Sequence, residues 1–161
     1  MNLTVRQSSI RGSIQIPASK SHTIRGVIMG TLAHGVSILI NPLDAADTRS
    51  AVRCCEKLGA TIRQDGNQWV IEGIGGNLPL CSLKLDVGNS GTTLGNLLAI
   101  CAMSERPVTL DGDASIRSRP FAPLLRSLEQ LGAIIESSGQ NGTAPITIRG
   151  PLQGGRAEVD G

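Results

Sequence analysis

Residues 55–62 read CEKLGATI, and residues 128–135 read LEQLGAII. From Leu58 to Leu131 the second copy lies 73 positions on, and its surroundings return with it. Ahead of the first copy are an apolar strand pattern over 36–40 and a helical pattern over 47–58. Ahead of the second are a strand pattern over 107–110 and a helical pattern over 120–131, opened by Pro120. Proline suits a first helical turn because the N–H it lacks would have no partner there. After each copy a turn rich in Gly, Asn and Gln leads into another strand, WVIEG at 69–73 and ITIRG at 146–150. A stretch that recurs together with its flanks marks a structural repeat, and the repeat decides the architecture.

Working outward, the earlier segments complete the unit. Each copy opens on a strand, 13–16 in the first and one starting at 83 in the second, and that strand feeds a helix through a polar junction. The junctions are PASKSHT (17–23), leading into a helix over 21–33, and VGNSGTT (87–93). The unit therefore reads strand, helix, strand, helix, strand, strand. Repeat one covers about 12–76 and repeat two about 82–155, and GGRAEVDG at the end places the start of a third at 156–161. The fold class is α+β, built from βαβαββ units, two and the start of a third. A domain seldom stops on the opening strand of a new unit, so the expectation is a truncated chain or one whose remainder is supplied separately.

Composition narrows the function. The chain has 161 residues and a net charge of +2, with 15 basic and 13 acidic residues spread along it, one Phe, one Trp and no Tyr. Without a basic block or stacking aromatics, nucleic acid is not an expected partner. No apolar run is long enough for a membrane span or a signal peptide, which makes the cytoplasm the expected compartment and a membrane partner unexpected. Cys54 and Cys55 are adjacent and Cys81 and Cys101 isolated. With no CxxC spacing and only His22 and His34 as further ligands, no metal site is expected, and all four thiols read as reduced packing residues. The N-x-T matches at Asn2 and Asn141 carry no meaning at that address.

The junctions carry the chemistry. A helix start offers unpaired N–H groups and the positive end of its dipole, a ready site for phosphate or carboxylate. In GNSGTT, Gly88 and Gly91 remove bulk beside the backbone, and Ser90, Thr92 and Thr93 add hydroxyls. The same letters also make an ordinary cap at Asn89 or Ser90 with a tight turn, which taken alone is the commoner use. The first junction shifts the balance. Lys20 and Arg25 crowd the start of a helix, beside Ser21 and Thr23, where cations oppose the dipole unless an anion is present. Ser21 could equally be a plain cap, and Arg25 could point to solvent.

A third cluster, DGDASIRSRPF (111–121), sets Arg117 and Arg119 in the loop before a helix. Guanidinium forks suit paired carboxylate or phosphate oxygens, though Asp111 and Asp113 could pair with them as a surface network. One functional arginine is the expectation. Nucleotide signatures fail: Lys20-Ser21 lacks the Walker glycines, with Ile14 and Ser19 in their place, and GIGGNL (73–78) ends on Leu78.

Three separated motifs, SKSHTIR (19–25), DVGNSGTT (86–93) and DASIRSRP (113–120), stand in the order found in 5-enolpyruvylshikimate-3-phosphate synthases (3-phosphoshikimate 1-carboxyvinyltransferases), which the chain resembles from about Gly12 onward. The sister enolpyruvyl transferase acting on UDP-N-acetylglucosamine shares the repeat, but its usual first motif carries Lys-Asn where Lys20-Ser21 stands here. A non-catalytic anion-binding module of the same fold is the other alternative.

The resemblance implies an inverse α/β barrel type of fold, with two domains of three units each and the active site between them. It implies transfer of the enolpyruvyl group of phosphoenolpyruvate to shikimate 3-phosphate, in aromatic amino acid biosynthesis, with no cofactor and no metal. It assigns Lys20 to catalysis and to both substrates, Ser21 and Arg25 to shikimate 3-phosphate, and Gly91 and Arg119 to phosphoenolpyruvate, with Asn89 and Thr92 as weaker candidates in the same loop. Ala18 stands where many members have Gly, and the Ser-Ser-Gln type segment after an EVDG-like strand lies beyond Gly161.

The second domain, with its arginines, lysine and acidic pair, is absent from this chain. The expected partners are thus the two small substrates and the missing C-terminal half, with self-association possible through the unfinished third unit. The N-terminal NLTVR (2–6) belongs, by the resemblance, with the other domain. The isolated chain is expected to fold but to be catalytically incomplete.

Overall fold

The computed structural model describes residues 3–9, 11–139 and 141–159. Two sheets lie against a shared helical core. The first unit contributes α1 (Lys20–Leu32), β1 (Val36–Ile40), α2 (Ala46–Lys57), β2 (Thr61–Asp65) and β3 (Gln68–Glu72). The second contributes β4 (Leu83–Asp86), α3 (Gly91–Cys101), β5 (Val108–Asp111), a short α4 (Ala114–Arg117), α5 (Ala122–Gln130), β6 (Ile134–Ser137) and β7 (Ile146–Arg149). The first sheet runs β1-β3-β2, all antiparallel, and the second β4-β5-β7-β6, where β4 and β5 are parallel and Leu85 pairs with Leu110.

The quoted repeat closes the second helix of each unit. Leu58 and Leu131 are the C-caps. Gly59 and Gly132 follow in the left-handed region at φ 107° and 102°, a conformation that a Cβ opposes. Each glycine and the alanine after it donate back to the helix in the same way: Gly59 N to Glu56 O and Ala60 N to Cys55 O, then Gly132 N to Glu129 O and Ala133 N to Leu128 O. These paired bonds form a Schellman motif that satisfies the last helical carbonyls and turns the chain into the next strand. The words recur because the geometry does.

The first helices repeat too. In α1 the buried positions are Thr23, Ile24, Val27, Ile28, Gly30 and Thr31, and in α3 they are Thr93, Leu94, Leu97, Leu98, Ile100 and Cys101. Both stripes follow the 3.6-residue period, and α1 packs against α2 and α3. Ile71, Leu85, Leu110, Ile146 and Ile148 close the core from the sheets. Burial of each such side chain contributes about 1.5–3 kcal/mol before conformational entropy is subtracted.

The expected strand at 13–16 does not form, and Ile14 and Ile16 remain 83% and 73% exposed. Unit two shows what holds an opening strand in place. Its β4 lies on the preceding unit's α2, where Cys54 Sγ donates to Asp86 O (3.3 Å) and Lys57 Nζ to Lys84 O (3.0 Å). Among the described residues no such helix precedes 13–16, and they run outside any sheet with Ile14 and Ile16 uncovered. The same logic appears after unit two. Ser127 Oγ of α5 donates to Glu158 O (3.3 Å), and Glu158 N to Gln130 Oε1 (2.8 Å). Glu158 is thus held against α5 by its backbone, as β4 is held on α2, although residues 156–159 form no strand; positions 160 and 161 of the expected opening strand fall outside the described residues.

Three cysteines, Cys54, Cys55 and Cys101, are buried as expected, but Cys81 is exposed in the connection ahead of β4. The described residues contain no helix long and apolar enough to cross a membrane and no group of three or more His, Cys, Asp or Glu placed to hold a metal. Of the two N-x-T matches, Asn141 is exposed and Asn2 lies outside the described residues.

Candidate functional site

Each polar junction contains a serine that caps the following helix. Ser19 accepts from His22 N (3.3 Å), so the cap of α1 is Ser19 and not Ser21. Thr23 fixes this choice from below: its hydroxyl donates to Ser19 O (3.0 Å) and accepts from Leu43 N (2.9 Å). Ser21 therefore has no capping duty and sits half-buried in the first turn. Ser90 caps α3, accepting from Thr93 N (3.2 Å), and its hydroxyl also bonds Thr93 Oγ1 (2.7 Å). Ser90 and Thr93 are buried, which removes two hydroxyls from the expected ligand set and leaves Thr92, half-buried, as the accessible one.

Neither α1 nor α3 has an acidic residue in its first turn, so the positive end of each dipole is not neutralised from within the helix. Lys20 is the first residue of α1. Its Nζ meets Asp47 Oδ2 at 2.7 Å, with the lysine side chain 50% exposed and the aspartate 20%. Asp47 comes from the first turn of α2. An exposed pair of this kind adds little stability, about 0–1 kcal/mol, but it holds the ammonium beside the start of α1. Arg25 lies one turn further along, exposed.

The second constellation joins the other two motifs. Arg119 reaches back from the loop after α4 and donates from Nη2 to Asn89 Oδ1 (2.7 Å) and to Ser115 Oγ (2.9 Å). Its Nη1 lies over the start of α3: a Cβ built on Gly91 would stand 3.0 Å from it. Asn89 in turn donates from Nδ2 to Asp113 Oδ2 (2.6 Å). Asp113 also caps α4, accepting from Ile116 N (3.0 Å), and its own N–H donates to Gly88 O (2.9 Å). These hydrogen bonds, that from Ile116 N–H first and that from Asn89 second, hold the Asp113 carboxyl below its ordinary 3.8.

Arg117 turns the other way. It forms a two-pronged pair with Asp111, Nε to Oδ1 at 2.9 Å and Nη2 to Oδ2 at 2.6 Å, which lowers the Asp111 carboxyl. Of the two arginines, one is committed to a carboxylate and the other faces a helix start. A cleft of about 550 Å³ lined by Lys57, Lys84, Asp111, Thr109 and Arg117 lies on that committed side.

The resemblance assigned Gly91 and Arg119 to one ligand, with Asn89 as a weaker candidate, and in the structure Arg119 bonds Asn89 and lies over Gly91. Sequence reasoning missed Asp47, which lies 27 residues from Lys20 with no local signal. It also set Asp113 against the arginines, whereas Asp113 takes Asn89.

The site is thus a pair of serine-capped helix starts, each supplied with a cation and without a carboxylate in its own first turn, on a repeated α+β scaffold. That defines a repeat protein with two cation-flanked helix starts. The model of the EPSP synthase (3-phosphoshikimate 1-carboxyvinyltransferase) family matches residues 5–161, and the chain belongs to that family. It is 43% identical over 160 residues to the 3-phosphoshikimate 1-carboxyvinyltransferase of Acetivibrio thermocellus, covering 99% of this chain and 38% of that protein. It is 44% identical over 161 residues to the enzyme of the same name from Methanococcoides burtonii, covering 100% of this chain and 38% of the relative. An EPSP synthase structure from Acinetobacter baumannii superposes with a TM-score of 0.79 at 27% identity, over 88% of this chain and 32% of that one. The chain therefore spans about 38% of the length of these curated relatives.

Proposed function

We propose that this chain carries the part of an enolpyruvyl transferase that grips the anionic ends of both substrates, in the transfer of the enolpyruvyl group from phosphoenolpyruvate to shikimate 3-phosphate. The observation that carries the reading is the seat of Arg119 over the start of α3, with Nη1 within 3.0 Å of where a side chain at Gly91 would begin. A planar cation and a helix N-terminus converge on one small space, which suits a ligand bearing both carboxylate and phosphate. Gly91 offers backbone there, and Thr92 stands beside it.

At the other helix start, Lys20, Ser21 and Arg25 form a cationic and hydroxylic strip suited to a sugar-like phosphate, and Lys20 stands between the two ligands in this reading. Exchange of Asp47 for substrate oxygen would release the ammonium toward the reacting atoms. Fixed cations act where charge develops as phosphate leaves, and they need no reorganisation at that moment. The donors and acceptors of protons would come from the part of the protein outside this chain, so that the chain alone binds and does not turn over. The same reading makes the missing half its principal partner, with self-association through uncovered apolar surface near residues 156–159 as a second contact, and puts the reaction in the cytoplasm.

The test is a titration of the isotope-labelled chain with each substrate, read from amide shifts. Shikimate 3-phosphate is expected to move Ser21 to Arg25, an effect lost in Lys20→Ala and Arg25→Ala. Phosphoenolpyruvate is expected to move residues 89–93 and Arg119. No shift from either ligand at millimolar concentration, on a folded chain, would overturn the reading.

A further inference from the structure

Arg119 does not hold its own position. Its Nη2 has two partners, Asn89 Oδ1 and Ser115 Oγ, and the first of these is itself directed. A primary amide can present either its oxygen or its NH2 to a neighbour, and only the oxygen can accept from a guanidinium. Asp113 settles the choice. Its ionised carboxylate accepts only, so it draws the Nδ2 group of Asn89 to itself at 2.6 Å and turns Oδ1 toward Arg119. With the amide reversed, NH2 would face the guanidinium and Oδ1 would face the carboxylate, two repulsive contacts in place of two charge-assisted bonds.

Asp113 is in turn anchored on both sides, by its N–H to Gly88 O (2.9 Å) and by its cap of α4 through Ile116 N (3.0 Å). The run Asp113, Asn89, Arg119 therefore ties the end of β5, the junction before α3 and the loop after α4 into one unit.

We propose that Asp113 is a positioning residue for Arg119, acting through the amide orientation of Asn89. The proposal rests on the reading that Arg119 meets the anionic substrate, and adds that the guanidinium is set before the ligand arrives. Asp113 needs no contact with the ligand for this role.

The experiment uses the whole chain and four proteins: wild type, Asp113→Asn, Asn89→Ala and the double variant. Asp113→Asn is nearly isosteric and keeps an oxygen for the α4 cap, while Asn89→Ala leaves the cap untouched. The first readout needs no ligand: the side-chain Nη resonances of Arg119, resolved when rotation is hindered and averaged when it is free. Wild type is expected to give resolved signals and each variant averaged ones. The second readout is affinity for phosphoenolpyruvate. Each single variant is expected to bind about tenfold more weakly, the scale of one hydrogen bond to a charged group, and the double variant about tenfold rather than a hundredfold, because one relay is broken once.

Resolved Arg119 signals in Asp113→Asn, or losses that multiply in the double variant, would overturn the proposal. Should wild type take no phosphoenolpyruvate, the functional reading falls and the ligand-free spectra alone decide the relay. Should Asp113→Asn unwind α4, Asn89→Ala decides the central link: unchanged Arg119 signals there refute it.

Discussion

Gly91→Ala separates stability from ligand capture more cleanly than any other single change. Gly91 is the first residue of α3, and its backbone does not need glycine's freedom. Alanine is the better helix former by up to about 1 kcal/mol in a helix interior and by less at a first position, so the fold should be unharmed or slightly firmer. The new methyl group, however, would lie 3.0 Å from Arg119 Nη1, inside ordinary van der Waals contact. The guanidinium must withdraw by several tenths of an ångström, and the methyl also stands between the ligand and the helix N–H groups.

A charge-assisted hydrogen bond contributes about 1.5–3 kcal/mol, and losing half of one costs about 1 kcal/mol. Phosphoenolpyruvate should thus bind roughly five- to tenfold more weakly. Shikimate 3-phosphate, assigned to the start of α1, should bind as before. Calorimetric titration with each ligand, with a thermal melt on the same samples, gives all three numbers. Unchanged phosphoenolpyruvate affinity in a folded variant would refute the placement of that ligand under Arg119. An equal loss for both ligands would refute the division of the site between the two helix starts.

Three further outcomes are expected. Alanine at Gly59 or Gly132 must adopt φ near 107° or 102°, so each substitution should lower unfolding free energy by about 1–2 kcal/mol in urea. Gly132→Ala should be the worse, because its Cβ would come within 3.0 Å of Gln153 against 3.4 Å from Ile74 at Gly59; the reverse order would contradict the packing. Burial pushes the thiols of Cys54 and Cys101 up to about 12 and that of Cys55 up to about 11. Alkylation of the native chain near neutral pH should therefore give one adduct, at exposed Cys81, by mass spectrometry, and a second native adduct would refute the burial.

The carboxyls of Asp44, Asp111 and Asp113 are held below their ordinary 3.8, by Arg49, Arg117 and the Ile116 N–H respectively. The folded state favours their ionised forms. Their stabilisation is accordingly complete above pH 3.8 and is lost as pH falls through the lower folded values. Chemical denaturation should give a flat stability from pH 7 to 5 and a decline below about 4 that lessens when Arg117 is replaced by Met; an unchanged decline would refute the role of the Asp111 pair.

Much of this scaffold was legible because its signals are local. The paired LGA turns at Gly59 and Gly132, the apolar strand over 36–40 and the stripes of α1 and α3 depend on neighbours within a few positions. What could not be read depends on partners far along the chain. Residues 13–16 have strand-like letters, but an opening strand needs the preceding unit's second helix beneath it, and no letter in 13–16 reports whether that helix is present. Ser19 and Ser21 are equally good caps on paper, and the choice falls to Thr23, whose hydroxyl links Ser19 O to Leu43 N, 20 residues away. Asp47 reaches Lys20 only through the packing of α2 on α1, and the short α4 is opened by the cap that Asp113 supplies.

The repeat also locates the site, by where its two copies cease to agree. Ser19 and Ser90 cap equivalent helices, Gly59 and Gly132 end equivalent helices, and Cys54 and Ser127 hold equivalent following segments. Those positions serve folding, which sets the same demand in each unit. Immediately after the caps the copies diverge: Lys20 opens α1, where Gly91 opens α3. The first helix brings its own cation to its positive end, steadied by Asp47. The second leaves that end bare, so that the backbone is accessible, and takes its cation from a distant loop as Arg119. A lysine at both positions would bring two ammonium groups but no exposed backbone, and a glycine at both would expose backbone with one arginine to serve two anions. In the proposed reading, one duplicated frame with unlike openings receives two unlike anions, as a transfer between two phosphorylated substrates demands.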